Sequence, residues 1–264
     1  MWDVSEGFGE AFADVEQYLG RCRFGNCRHQ SEPGCAVREA IEQGLLSKER
    51  WDSYNWWYMG LYPGLIGILC GIIGGKDKGK KNAAIWSLPC SMKRIWDAKI
   101  LVAALLSAAA VCCCIILTLI VGTVMERALH ITFILRPSVT MQLAAGILMW
   151  LTTLWQIPFC LFLSQKMGMF LMLLVHMGSY TVIGVTMSLK PWFVLFPGAI
   201  TSRLMCPVLG ILPNGLLAVE GQMTYFPEIM ESENLLAGVT AALLWFLLFW
   251  WGSRNYFERQ VSGK

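Results

Sequence analysis

The sequence predicts an all-α integral membrane protein with about five transmembrane helices and a re-entrant hairpin, preceded by a small helical zinc-binding segment. Three observations support this fold class. Of the 264 residues, 56% are apolar and 15% are charged, whereas soluble domains are about 45–50% apolar and about 25% charged. The long apolar runs lie within residues 57–252, and several of them have the length of about 20 residues that can cross a bilayer. Three cysteines and one histidine lie close together within the first 54 residues, and this segment otherwise has the composition of a soluble protein.

The N-terminal segment, residues 1–54, carries four side chains that suit a metal ion. They are Cys22, Cys27, His29 and Cys35. Three thiolates and one imidazole form a closed tetrahedral set, which is typical of structural zinc and leaves no position for a reactive water. Disulfide bonds are the competing interpretation, but three cysteines leave one unpaired and give the histidine no role. We therefore expect structural zinc, followed by a helix at Ala36–Gln43.

Five apolar stretches are predicted to cross the membrane, because a helix needs about 20 residues to traverse the hydrocarbon layer. The first, Trp57–Gly75, is glycine-rich and contains Pro63, which a lipid-embedded helix tolerates. The others are Ile100–Met125, Met141–Ser164, Met169–Leu189 and Leu235–Gly252. Residues 191–218 contain apolar runs of about ten residues, too short to cross. We interpret them as a re-entrant or interfacial hairpin, whose turn is Pro213–Gly215. Its characteristic residues are Pro197, Arg203, Pro207, Pro213, Asn214 and Gly215.

Few residues in the predicted crossings are polar or disturb a helix. They are Gln156, Pro158, His176 and Ser179. For His176 we expect a hydrogen bond to a neighbouring helix rather than a role as a relay or ligand. The sequence has no phosphate-binding loop, no HExxH motif and no row of acidic residues that could carry protons. We therefore expect neither an enzyme nor a self-powered pump. The net charge of +3 is too small to indicate binding to nucleic acid.

The loop 76–99 is rich in lysine and arginine and is therefore predicted to be cytoplasmic. This orientation places the C-terminus inside and the N-terminal segment outside. The second half of the loop alternates basic, aromatic and apolar side chains. They are Ile85, Trp86, Leu88, Pro89, Lys93, Arg94 and Trp96. Such a stretch could lie on the membrane surface or dock into a groove of another protein, and both interpretations remain open.

Two parts of the membrane region resemble a known family. NWWYMGLYPGLIGILCG, the following KDK and then SLPCSMKRIWDAKILV are similar to the second helix and following loop of the permease subunits of lantibiotic-protection ABC transporters, which are of the ABC-2 type. WFVLFPGAITSRLMCPVLGILPNGLL resembles the proline-rich stretch before the last helix of that family. The resemblance covers about residues 55–259. Members have six crossings, so residues 55–264 would form a permease domain without the first helix.

This resemblance implies a membrane subunit that pairs with a second permease subunit and with a separate ATP-binding subunit. The loop 82–97 would contain the coupling helix, through which conformational changes of the ATPase are transmitted to the permease. This chain itself would bind no nucleotide. The complex would lie in the bacterial plasma membrane and expel a lantibiotic or bacteriocin peptide, so that the producing cell protects itself.

The N-terminal segment resembles a different family. WDVSEGFGEAFADVEQYLGRCRFGNCRHQSEPGCAVREAIEQG is similar to the C-terminal zinc-binding part of the small-ribosomal-subunit biogenesis GTPase, including all four metal ligands. The GTPase motifs of that family are absent, so we expect no GTP hydrolysis. Two resemblances in one chain imply a chimera. The alternative to a transporter subunit is therefore a non-transporting, membrane-anchored zinc-binding module, or a non-functional chimera with a GTPase tail.

Overall fold

A computed structural model describes residues 60–78, 90–129, 138–213, 218 and 224–262, and these residues are organised as an all-helical bundle. The α-helices in this part of the chain are α1 (Tyr62–Lys78), α2 (Met92–Leu129), α3 (Val139–Thr153), α4 (Gln156–Met167), α5 (Met169–Met187), α6 (Pro197–Leu209) and α7 (Glu233–Ser262). Short 3₁₀ turns are found at Phe193–Leu195 and Pro227–Ile229. The zinc-binding segment 1–54 and the helix predicted at Ala36–Gln43 lie outside the described residues.

Three helices, α2, α5 and α7, are long and apolar enough to cross a membrane, and α3 with α4 forms a fourth span if the bent pair is taken as one. These helices correspond to the last four predicted crossings and confirm the predicted membrane fold. The first predicted crossing is represented by α1, which has 17 residues. At 1.5 Å per residue α1 is about 25 Å long, less than the hydrocarbon layer of about 30 Å. Whether α1 spans the bilayer therefore stays a prediction.

The predicted crossing Met141–Ser164 is broken into two helices that meet at an angle of 41°. Pro158 explains the break, because proline has no N–H to donate to the carbonyl of Leu154 four residues earlier. The amide of Ile157 donates to that carbonyl instead, at 3.1 Å. The hydroxyl of Thr153 also donates to the Met149 carbonyl at 2.7 Å, a contact that bends helices. Pro158 thus acts as the kinking residue that the sequence indicated.

Helix α1 packs closely against α4 and α5 through a face of glycines. A Cβ atom at Gly67 would lie 2.7 Å from Leu173 of α5, and one at Gly74 would collide with the hydroxyl of Ser164 in α4. The Gly74 carbonyl accepts a hydrogen bond of 2.7 Å from the buried side chain of Gln165. Small residues at such contacts let membrane helices approach closely. The glycines therefore position α1 even though it is the shortest candidate crossing.

A pair of adjacent glycines tests this packing. We expect Gly74→Ala to destabilise the protein by about 1–3 kcal/mol, because the new methyl group would collide with Ser164. The Ser164 hydroxyl is buried and bonded to the Leu161 carbonyl, so it cannot move freely. Gly75→Ala is the matched control, since a Cβ there would meet no atom within 4 Å. Melting temperatures of the detergent-solubilised variants measure the difference, and equal values would refute the packing.

The predicted hairpin contains α6, a helix of 13 residues that is almost entirely buried. It packs against α3, α5 and α7, which favours the re-entrant interpretation over the interfacial one. Pro197 occupies the beginning of the helix, where its missing N–H costs nothing. Gly210 ends it with a φ of +67° and donates its N–H to the Cys206 carbonyl at 2.8 Å. Of the predicted turn, Pro213 is described, whereas Asn214 and Gly215 lie outside the described residues.

Candidate functional site

The predicted coupling region is described from residue 90 onward, so Lys93, Arg94 and Trp96 can be located, while Ile85, Trp86, Leu88 and Pro89 lie outside the described residues. Helix α2 begins at Met92 and continues into the membrane span without interruption. Lys93, Arg94 and Trp96 therefore belong to the first turns of a spanning helix. Residues from Met92 onward therefore do not belong to a separate helix on the membrane surface.

Trp96 lies inside the protein and is 1% exposed. Its indole N–H donates to the hydroxyl of Ser253 at 2.9 Å. Its ring stacks on Phe257 with a centroid distance of 4.6 Å. Both partners belong to α7. Trp96, which the family resemblance places in the coupling loop, is therefore an internal packing residue that joins α2 to α7.

Asp97 completes the contact between these helices, which we call the α2–α7 junction and define as Trp96, Asp97, Trp250, Ser253, Arg254 and Phe257. One carboxylate oxygen of Asp97 accepts from the indole N–H of Trp250 at 2.8 Å. The other accepts from Arg254 through Nε at 3.1 Å and Nη2 at 2.9 Å. The Arg254 guanidinium also lies 5.2 Å from the centre of the Trp250 ring. A single carboxylate thus connects the beginning of α2 to two side chains of α7.

The rim of the junction is more exposed. Lys93 and Glu258 form an ion pair of 2.9 Å with side chains that are 36% and 42% exposed, so it contributes little to stability. Arg94 is exposed. Among the described residues of the predicted coupling region, Arg94 therefore offers the most accessible charge to a partner protein.

A second set of contacts holds the ends of α1, α4 and α7 together. The Gln165 amide donates to Gly74 near the end of α1. The ammonium group of Lys166 lies 5.0 Å from the ring centres of both Phe162 and Tyr256. Loop charges predict these ends to be cytoplasmic, and the structure brings them to one end of the bundle. The two helices that flank residues 79–91 are thus held by α4 and by α7, respectively.

Arg203 of the hairpin lies near the opposite helix ends and is 3% exposed. Its Nη2 donates to the Glu228 carbonyl at 2.8 Å and its Nη1 to the Ser188 carbonyl at 3.5 Å. The guanidinium lies 4.9 Å from the ring centre of Phe226 and 5.5 Å from that of Phe193. Arg203 therefore fastens α6 to the segments on either side of the hairpin. Pro207 lies within α6 and Pro213 follows it.

The helix break is surrounded by a buried polar group of side chains, which we call the break cluster. Its members are Thr152, Trp155, Gln156, His176, Tyr180 and Thr201. The Thr201 hydroxyl donates to Thr152 at 3.0 Å, joining α6 to α3. The ring centre of His176 lies 6.4 Å from Trp155 and 6.0 Å from Tyr180. The sequence pointed to Gln156 and His176 singly, but the cluster arises from residues of four helices.

The expectation that His176 bonds a neighbouring helix is not met within the described residues. The Pro63 carbonyl is a close neighbour of His176, but neither ring nitrogen has a partner with hydrogen-bond geometry in this part of the chain. Ser179 donates to the His176 carbonyl at 3.1 Å, which leaves the imidazole uninvolved. The described residues also contain no group of three or more side chains that could hold a metal ion. The predicted ligands Cys22, Cys27, His29 and Cys35 lie outside them.

Comparison with known proteins relates the chain to two different groups. Residues 55–215, more than half of the chain, match the family described as ABC-2 family transporter protein. Small ribosomal subunit biogenesis GTPase RsgA 2 of Vibrio parahaemolyticus is 56% identical over 53 residues, which are 20% of this chain and 15% of that protein. Small ribosomal subunit biogenesis GTPase RsgA of Yersinia enterocolitica is 43% identical over 56 residues, which are 21% of this chain and 16% of that protein. The chain thus spans about one sixth of the length of these curated relatives. No solved structure matches it.

Proposed function

The chain belongs to the ABC-2 family of transporter proteins, and from this premise we propose that it expels a lantibiotic-like peptide with energy from a separate ATPase. It is a multi-pass plasma-membrane protein and a permease subunit of an ABC transporter. A protein of this family is not itself the catalytic subunit. The bacterial host, the peptide, the protective role, the ATP-binding subunit and a second permease subunit are parts of the proposal.

The family match carries this proposal, and the anchoring of the two helices that flank residues 79–91 supports the part that concerns the supply of energy. A partner that pushes on this loop would act on α1, which Gln165 ties to α4. It would also act on α2, which Asp97 ties to α7. Rigid elements with fixed contacts can transmit such a displacement across a membrane protein. These contacts of the flanking helices support the proposal that a partner ATPase acts on the permease through residues 79–91.

Copurification with the ATP-binding subunit tests the proposed partner. We expect Arg94→Glu and Trp86→Ala each to reduce capture of the ATPase by roughly ten-fold, because interface arginine and tryptophan often contribute more than about 1.4 kcal/mol. Lys190→Glu is the matched control, since Lys190 is also an exposed cation but is predicted to face outward. Trp96→Ala is unsuitable because that side chain is internal. Equal capture by all variants would refute the assignment of the loop.

Protection of cells tests the proposed substrate. Cells that express the chain with its ATPase and second permease subunit should survive higher concentrations of a lantibiotic than cells that carry an ATPase unable to hydrolyse ATP. The comparison holds membrane insertion constant while removing the energy source. Equal sensitivity to every lantibiotic tested would contradict the peptide-export proposal and leave the family membership intact.

A second candidate function is that of a zinc-binding module held at the membrane. The match of 53 residues at 56% identity to a small ribosomal subunit biogenesis GTPase favours it, because the sequence of residues 2–54 resembles the zinc-binding part of that family. The donor set Cys22, Cys27, His29 and Cys35 is chemically suited to structural zinc. The purified full-length chain should then contain one zinc ion per molecule, and Cys22→Ser together with Cys27→Ser should remove it. Zinc below about half an equivalent in the unmodified chain would exclude this candidate.

A further inference from the structure

We propose that the break cluster is an internal water-binding site, in which ordered water joins the indole of Trp155, the side-chain amide of Gln156 and the imidazole of His176. The site would lie between α4 and α5, beside the break that Pro158 introduces. It is independent of the proposed export function, because it rests on polar groups inside the bundle and not on any partner.

Unpartnered polar atoms are the first observation behind the proposal. Gln156 and His176 are 0% exposed and Trp155 is 5% exposed. Within the described chain, Trp155 Nε1, both polar atoms of the Gln156 side chain and both ring nitrogens of His176 lack a hydrogen-bond partner. The Tyr180 hydroxyl lies near Gln156, yet that contact does not have the geometry of a hydrogen bond. Burying one such group without a partner costs about 1–3 kcal/mol.

The arrangement of these atoms is the second observation. Trp155 and Gln156 are adjacent in sequence at the beginning of α4, and His176 and Tyr180 are one turn apart on α5. The rings of Trp155, His176 and Tyr180 have centroid separations of 6.0–6.5 Å. The rings of Trp155 and His176, which carry unpartnered nitrogens, are therefore neighbours, and Tyr180 lies beside both of them and beside Gln156. The three residues with unpartnered atoms thus belong to one cluster and are not scattered through the bundle.

The chemistry of the cluster selects water as its occupant. Trp155 offers one donor, Gln156 offers donors and an acceptor, and a neutral imidazole offers one of each. No aspartate, glutamate, lysine or arginine belongs to the cluster, so a bound ion would lack a compensating charge. Water both donates and accepts, and buried waters typically make about three hydrogen bonds to such groups. Because lipid supplies no hydrogen bonds, polar groups inside a membrane protein must be satisfied from within.

Hydroxyl-radical footprinting by X-ray radiolysis tests the proposal on the full-length protein in nanodiscs, because radicals formed from bound water label buried side chains beside it. Trp96 is the internal control, since it is also a buried tryptophan but its N–H already donates to Ser253. We expect Trp155 to be labelled at least several-fold faster than Trp96. Equal slow labelling of both tryptophans would overturn the proposal.

Substitution distinguishes bound water from occasional opening to solvent. The variant Gln156→Leu with His176→Phe removes four of the five unpartnered atoms and keeps similar volumes. We expect it to reduce the labelling of Trp155 to the rate of Trp96 and to lower the melting temperature, because water-mediated bonds are lost. Labelling that stays fast, or a melting temperature that rises because the cluster was dry, would overturn the proposal. If the double variant does not fold, each single variant provides the same two measurements.

Discussion

Under the proposed function, Asp97→Ala is expected to abolish ATP-driven peptide export by the reconstituted permease while the protein still reaches the membrane. The substitution leaves the Trp250 indole and the Arg254 guanidinium without their acceptor at the α2–α7 junction. The side chains of the Asp97–Arg254 pair are about one third exposed, so solvent compensates for part of the loss. We estimate a destabilisation of about 1–2 kcal/mol. The larger effect falls on coupling, because α2 would no longer be tied to α7.

Two variants separate coupling from simple instability. Asp97→Asn keeps an acceptor for Trp250 and loses the ion pair with Arg254, so it should retain intermediate export. Glu258→Gln removes the exposed ion pair with Lys93, and we expect it to leave export nearly unchanged. Peptide efflux from proteoliposomes that contain the ATPase measures coupling, and melting temperature measures stability. Full efflux by Asp97→Ala would show that the junction does not transmit the conformational changes of the ATPase.

Arg203→Met should release the segment around residues 224–230 from the hairpin and destabilise the protein by about 2 kcal/mol. Methionine fills a similar volume but cannot donate to the Glu228 and Ser188 carbonyls. It also loses the contacts of a cation with the faces of Phe226 and Phe193. Hydrogen bonds from charged groups contribute about 1.5–3 kcal/mol. Part of that loss is offset, because a charge no longer has to be buried.

Limited proteolysis reads out the release of this segment. We expect faster cleavage around Glu228 and Glu231 in Arg203→Met than in the unmodified protein. Arg203→Lys should resemble Arg203→Met, because a single ammonium cannot reproduce the two-armed contact. Lys190→Met is the control for removal of an exposed cation near the same helix ends. If Arg203→Met is cleaved no faster than the control, Arg203 does not hold the segment in place.

The spanning helices could be predicted from sequence because length and apolarity decide where a helix lies relative to lipid. The break before Gln156 was also foreseeable in part, since Pro158 cannot complete the hydrogen-bond pattern of a helix. The spacing of Gly67, Gly71 and Gly74 along α1 is evident from the sequence. The helices that these glycines contact could not be predicted, because α4 and α5 follow about 90 residues later.

The candidate site was less predictable, because its contacts also join residues that are far apart in sequence. Trp96 was interpreted as one face of an amphipathic segment, a pattern that depends on residues close in sequence. Its actual partner, Ser253, is 157 residues away, and no local pattern encodes that pairing. The break cluster has the same character, since Thr152, His176 and Thr201 belong to three helices. Arg203 was recognisable as an unusual charge in an apolar stretch, whereas its partners are carbonyl groups that any residue could supply.

The separation of the junction along the chain has a consequence for biosynthesis. Asp97 precedes Arg254 by 157 residues, so a ribosome that adds about 5–20 residues per second needs roughly 8–30 s to supply the partner. During that interval α3 to α6 can already enter the bilayer, while the beginning of α2 has yet to meet α7. The end of the bundle that is predicted to be cytoplasmic therefore closes late in translation, and a nascent chain that stops before Trp250 would leave it open.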